Sequence, residues 1–193
     1  MKRKAIIVGS NGQDGQLLAK HLTYKNYELT LLSRLNFDIT NVFDVSNIIE
    51  DVMPDEIYFL AAYHHSAEDI QEPDNLIFKK SFEINVTALS HFLDSIVKIN
   101  PKARLFYASS SHIFSDYNGE IQNENTTKNP GNIYAISKHA GMMACVYYRE
   151  RKKVFASCGI LYNHESSVRS PNFLSRKVIK AAVEIKRKWK EKL

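Results

Sequence analysis

The sequence contains no run of about 18 apolar residues, the least a helix needs to cross a bilayer, so no segment reads as a membrane span. Behind the basic start Met1-Lys-Arg-Lys, the apolar stretch runs only from Ala5 to Val8 before Gly9. That is too short for the core of a secretion signal, and a cytoplasmic location is expected. Cysteine is nearly absent. Cys145 and Cys158 are the only two, which excludes a disulfide framework and a cysteine metal site. Each sits in an apolar stretch, and both read as buried free thiols in a reducing compartment. Internal repeats, low-complexity tracts and linkers are also missing, so solenoid and multi-module readings are set aside. Glycine is sparse at seven residues, and three of these, Gly9, Gly12 and Gly15, crowd into one turn.

What is present fits one globular domain. With 193 residues, 44% hydrophobic and 24% charged, the chain can bury a core but not two large ones. The net charge of +5 is local: seven Lys/Arg against two Glu between Lys177 and Leu193 account for all of it. Val178, Ala182, Ile185 and Trp189 recur there at helical spacing, which reads as an amphipathic helix with a solvated basic face rather than an anion-binding surface. A nucleic-acid partner is not expected.

Apolar runs alternate with helical periodicity along the chain. The pattern predicts strands at 4–8, 28–32, 36–40, 56–62, 104–109 and 154–161, the third of them brief. Helices are predicted at 13–25, 41–53, 76–99, from Tyr134 to about 151, and at 173–193, with loops at 66–75 and 115–132. Continuous apolar strands alternating with helices indicate a doubly wound parallel α/β sheet covered on both faces, with ligands outside the carboxyl ends of its strands.

The chemistry-bearing residues fall at those ends. Gly9-Ser-Asn-Gly12-Gln-Asp-Gly15 lies between the first strand and the first helix. Glycines there permit a tight turn and close approach to a pyrophosphate, and the helix N-terminus favours its charge. An NAD site usually places an acidic residue after the second strand. Here Ser33-Arg34 stands in its place, and a guanidinium suits the 2′-phosphate of NADP; Arg34 also fits an ordinary solvated arginine. Tyr134 and Lys138 are four residues apart on one helix face, where an ammonium beside a phenol is expected to lower the tyrosine's pKa. Such a tyrosine can exchange a proton with a sugar hydroxyl. Ser109, Ser110 and Ser111 end the fifth predicted strand, either as a substrate-bonding hydroxyl or as a serine-rich turn.

In order and spacing, Gly9/Gly12/Gly15, Leu60-Ala61-Ala62, Asn85, the serines at 109–111 and Tyr134/Lys138 resemble the extended short-chain dehydrogenase/reductase family of sugar-nucleotide epimerases and dehydratases. Within it, Gly12-Gln-Asp-Gly15, Pro54-Asp-Glu-Ile-Tyr58, Tyr148-Arg-Glu150, Gly159-Ile-Leu-Tyr-Asn-His-Glu-Ser166 and Phe173-Leu-Ser-Arg-Lys177 look like the GDP-mannose 4,6-dehydratases. The resemblance runs over essentially the whole chain. It implies a Rossmann-type domain with a substrate domain that is absent or truncated here, NADP as cofactor with NAD less favoured, a GDP-linked hexose as substrate, and a homo-oligomer. The helices near 76–99 and 131–151 would pair in such an oligomer, although Met142 to Val146 reads first as core.

The resemblance also implies roles. Tyr134 would take the O4 proton as hydride leaves C4, Lys138 would tune the tyrosine and hold the nicotinamide ribose, and Ser110 would bond O4. Gly9, Asn11, Gly12, Gln13, Asp14, Gly15 and Arg34 would cradle the phosphates, and Asp38 and Ile39 would lie against the adenine. Leu60, Ala61 and Tyr63 would line the cofactor, which His164 and Arg169 would also contact. Asn85 and Asn163 would face the substrate. A base must then remove the C5 proton before water leaves C6. In the family that base is a glutamate after Ser/Thr-Ser; here Ser110-Ser111 is followed by His112, either a replacement base or a non-functional substitution. A second departure is Ser167-Val168 where the dehydratases have Pro-Arg, which weakens a phosphate contact. The third is the ending at Leu193, where the family continues. A reductase or epimerase of the same family, or an NADP-binding protein impaired in catalysis, are the alternative readings.

Overall fold

The computed structural model describes residues 2–64, 72–114, 121–171 and 173–190. Parts of the loops expected at 66–75 and 115–132, and the last residues of the final helix, lie outside this set. Two compact units are distinguished, Met1–Tyr162 and Asn163–Leu193.

The first unit is built on a parallel sheet with strands β1 (Lys4–Val8), β2 (Glu28–Leu32), β3 (Glu56–Phe59), β4 (Arg104–Ser110) and β5 (Phe155–Leu161), ordered β2-β1-β3-β4-β5. The direction of winding reverses between β1 and β3, and a doubly wound sheet opens its ligand crevice at that point. Ala5, Ile6, Ile7 and Val8 of β1 are all fully buried, as expected of a central strand covered on both faces. Burying each large aliphatic side chain there contributes about 1.5–3 kcal/mol.

Side chains alternate across the sheet. Ile6, Val8, Ile57, Phe59, Leu105 and Tyr107 face one layer, formed by helices α2 (Val42–Val52), α4 (Ala88–Lys98) and α5 (Ile133–Lys152). Ala5, Ile7 and Leu29 face the other, where Leu18 and Leu22 of α1 (Gln13–Tyr24) cover them. Phe59 and Phe92 meet edge to face, with centroids 5.6 Å apart, and tie β3 to α4. Asn41 caps α2 by accepting from the amides of Phe43 and Asp44. Asn132 does the same for α5 through the amide of Ala135, so Tyr134 sits in a fixed first turn. The second unit carries α6 (Leu174–Lys190), whose Val178, Ile185 and Trp189 are exposed within the described residues.

Three expectations are corrected. No strand forms at 36–40. The Asp38 carboxylate accepts from the Thr40 amide and hydroxyl at 2.9 and 2.7 Å, and Asn36 and Phe37 fold back onto the Ser33 carbonyl. These local bonds compete with a strand ladder. The single helix expected at 76–99 begins instead at Asp74 as α3 (Asp74–Phe82) and passes through a π-helical turn, Glu83–Thr87, before α4. Cys158 is half-buried rather than buried, and its thiol pairs by hydrogen bond with that of buried Cys145.

Candidate active site

The carboxyl end of β1 turns sharply at Gly9, whose φ of +91° favours glycine. A Cβ there would lie 2.7 Å from the Ala61 amide nitrogen, so only glycine lets the first turn touch the end of β3. Gly15 is held as tightly: its Cβ would fall 2.7 Å from the Ser10 Cα. Gly12 differs, since a Cβ there meets only the Gly9 carbonyl, at 3.3 Å. It also brings no capping side chain to the first turn of α1, the arrangement in which a helix N-terminus receives an anion. Asn11 and the first α1 residues Gln13 and Asp14 complete this turn. Such a cradle fits a dinucleotide pyrophosphate.

Beside the cradle, Ser10 is anchored to the Leu32 carbonyl through its amide and hydroxyl. The chain after β2 carries Arg34, which is exposed. Thr40's hydroxyl and amide hold the Asp38 carboxyl below its usual range, and Ile39 packs against the core. At the end of β3, the Leu60 amide extends the ladder to Val8, and Ala61 packs under Gly9.

Tyr63 is fastened through Asn85. Its amide donates to Asn85 Oδ1 at 2.9 Å, and Asn85 Nδ2 donates to Ser137 Oγ at 2.8 Å. Ser137 in turn donates to the Tyr134 carbonyl at 2.8 Å. Asn85 is fully buried and both its side-chain groups are engaged within the protein. It joins the end of β3 to the helical turn that carries the tyrosine.

Ser110 and Tyr134 are hydrogen-bonded, and Lys138 lies one turn further along α5. The Lys138 ammonium is 5.8 Å from the centre of the Tyr134 ring and donates to the Ala108 carbonyl at 2.8 Å. Here too an expectation is corrected. Burial pushes the Tyr134 phenol above its ordinary value, and the Ser110 hydrogen bond is what draws it down. Lys138 is itself buried, and desolvation lowers it to about 7. The lysine is thus tuned by its own burial, while the serine favours the phenolate.

His112 follows in the short turn Ser111–Phe114, with its ring 6.0 Å from that of Tyr134 at 86°. The closer imidazole is His64, at 4.8 Å and 80°, a residue the sequence reading passed over. Its only signal in sequence is its place just past a strand's carboxyl end, beside Tyr63.

The remaining predicted residues belong to the second unit. Arg169 Nη1 donates to the His164 carbonyl at 3.0 Å, and the guanidinium stacks 3.8 Å above the Phe173 ring. Its Nε lies 3.7 Å from Glu165 Oε2, which also accepts from Ser175. Asn163 and His164 are exposed.

The chain is 28% identical to a GDP-mannose 4,6-dehydratase of Vibrio cholerae, covering 96% of this chain and 56% of that protein. It is 31% identical to GDP-mannose 4,6 dehydratase 2 of Arabidopsis thaliana, over 96% of this chain and 56% of that one. It therefore spans about half the length of these relatives. Among solved structures, RMD from Pseudomonas aeruginosa complexed with NADPH superposes with a TM-score of 0.81 at 17% identity, over 97% of this chain and 63% of that chain, a likeness of fold. The family model of GDP-mannose 4,6 dehydratase matches residues 32–193, and the chain belongs to that family.

Proposed function

We propose that the chain forms the dinucleotide-binding and oxidising part of an NADP-dependent dehydratase that acts on a GDP-linked hexose. The observation that carries this reading is the half-buried Tyr134, paired with Ser110 and with Lys138 one turn away, beside the carboxyl end of β4. When bound, the oxidised nicotinamide ring supplies the hydride acceptor. Tyr134 takes the proton from O4, and Ser110 holds that oxygen while it loses its hydrogen. Lys138, lowered to about 7, exchanges a proton at neutral pH and feeds the tyrosine. His112 takes the C5 proton, a role a neutral imidazole can fill. Water then leaves C6, and the reduced ring, when bound, would supply the hydride that carbon takes up.

Arg34 supports NADP over NAD, since no carboxylate occupies its position after β2. Gly9, Asn11, Gly12, Gln13, Asp14 and Gly15 would hold the pyrophosphate, and Leu60, Ala61 and Tyr63 would line the nicotinamide side. The resemblance gives His164 and Arg169 to the cofactor and Asn163 to the sugar nucleotide. No described helix is long and apolar enough to cross a membrane, and a cytoplasmic homo-oligomer belongs to the same proposal.

The test is incubation with GDP-mannose and NADP⁺, followed by mass spectrometry of the sugar nucleotide. A 4-keto-6-deoxy product, one water lighter, supports the dehydratase. His112 in place of a carboxylate favours one second reading: a reductase or epimerase, which needs only the serine, tyrosine and lysine. Cofactor reduction or epimer formation without loss of water would select it.

A further inference from the structure

Loss of water across C5 and C6 moves two protons. One leaves C5, and another must reach the departing C6 oxygen. Tyr134 serves O4 and is bonded to Ser110, and His112 takes the C5 proton, so the leaving oxygen needs a further donor. His64 is placed to be it.

β3 and β4 are adjacent in the sheet, and each delivers a histidine from its carboxyl end to the same tyrosine. The His64 ring stands 4.8 Å from the Tyr134 ring and the His112 ring 6.0 Å, both edge to face at 80° and 86°. Both imidazoles are exposed, while the Tyr134 ring that both approach is half-buried. C4, C5 and C6 of a hexose are consecutive carbons. A sugar with O4 against Tyr134 therefore brings C5 and C6 within range of the two imidazoles. Imidazoles change charge near neutral pH, so a pair of them can hold one base and one acid together.

We propose that His64 is the general acid of the elimination, an inference that rests on the dehydratase reading above. His112 accepts the C5 proton and the C5–H electron pair moves into an enolate of the C4 ketone, whose pair then becomes the C5–C6 double bond. The C6–O bond breaks, and the oxygen leaves as water with the proton of His64. His64 ends neutral and His112 protonated, and exchange with solvent restores both. No oxidant or reductant enters this step.

The experiment compares the unmodified protein with His64→Gln and His112→Gln, each given GDP-mannose and NADP⁺ in D₂O. Product and recovered substrate are weighed by mass spectrometry, and NADP affinity checks the fold. His64→Gln is expected to form product about 100-fold more slowly, within the span of general acid catalysis. It should still return substrate carrying deuterium at C5, because C4 oxidation and C5 deprotonation remain intact. His112→Gln should lose both product and exchange. A His64→Gln rate within about threefold of the unmodified protein overturns the inference and leaves the dehydratase reading standing. Loss of exchange together with product in His64→Gln also overturns it, since the ring would then serve to place Tyr134. Neither product nor exchange from the unmodified protein overturns the dehydratase reading and this inference with it.

Discussion

Lys138 Nζ donates to the backbone carbonyl of Ala108 at 2.8 Å, which ties the second turn of α5 to the end of β4. The lysine is thereby held inside the protein, with its ammonium 4.9 Å from the Tyr107 ring centre and 5.8 Å from that of Tyr134. Burial lowers it from an ordinary 10.5 to about 7. Between those values the unfolded chain binds a proton that the folded chain does not, so stability rises with pH across that window. The gain is complete above 10.5 and is lost as pH falls to about 7. For one proton the slope is at most about 1.4 kcal/mol per pH unit. Lys138→Met is expected to flatten it, as measured by denaturant unfolding at pH 7, 8 and 9. An unchanged slope in the variant would place the titration elsewhere.

Ser110 is the group that favours the Tyr134 phenolate against its burial. Removing the hydroxyl leaves desolvation unopposed, so the tyrosine rises further. A hydrogen bond to a charged group is worth about 1.5–3 kcal/mol. In Ser110→Ala, the limb of C4 oxidation that rises with pH should therefore move to higher pH. Ser110→Thr, which keeps the hydroxyl, should restore it. The readout is the transient rise of NADPH absorbance in a single turnover between pH 6 and 10.

The placement of several of these residues is legible in the sequence. The turn at Gly9, the serines of β4 and the Tyr134/Lys138 pair are local signals, fixed by spacing and by their place after strands. What escaped was non-local. The i, i+4 spacing of Tyr134 and Lys138 gave their nearness, but not that the ammonium turns to Ala108 or that burial outweighs its charge. Asn85 is given to the substrate by resemblance alone, while its bonds to Tyr63 and Ser137 span 22 and 52 residues of sequence and leave no local signal. His64 has no periodic neighbour to mark it. The missing strand at 36–40 was misread because apolar Phe37 and Ile39 alternate as in a strand, while the Asp38–Thr40 turn takes the backbone elsewhere.

Asn85 connects the Tyr63 amide to Ser137 and, through it, to the Tyr134 carbonyl. Asn85→Ala leaves a buried amide and a buried hydroxyl without that partner, each costing about 1–3 kcal/mol. The variant should unfold at lower denaturant by about 2–4 kcal/mol, within the usual non-additivity of neighbouring bonds. Because the lost bonds hold the Tyr134 turn, C4 oxidation should slow at saturating GDP-mannose, with little change in its KM. A pure KM effect would return Asn85 to the substrate.

Gly9 and Gly12 separate the fold from the cofactor. At Gly9, alanine meets both a φ of +91° and the Ala61 amide at 2.7 Å, so Gly9→Ala should destabilise the chain by about 1–3 kcal/mol. Alanine at Gly12 adopts a φ of −70° without strain and meets only the Gly9 carbonyl, at 3.3 Å. Its stability should stay within about 1 kcal/mol of the unmodified chain. The added methyl nevertheless projects from the turn where a pyrophosphate must approach the backbone. Calorimetric titration with NADP⁺ should show Gly12→Ala weakened at least about tenfold, or about 1.4 kcal/mol, beside an unfolding curve that scarcely moves. Equal affinity in Gly12→Ala would mean that the dinucleotide does not lie on this turn.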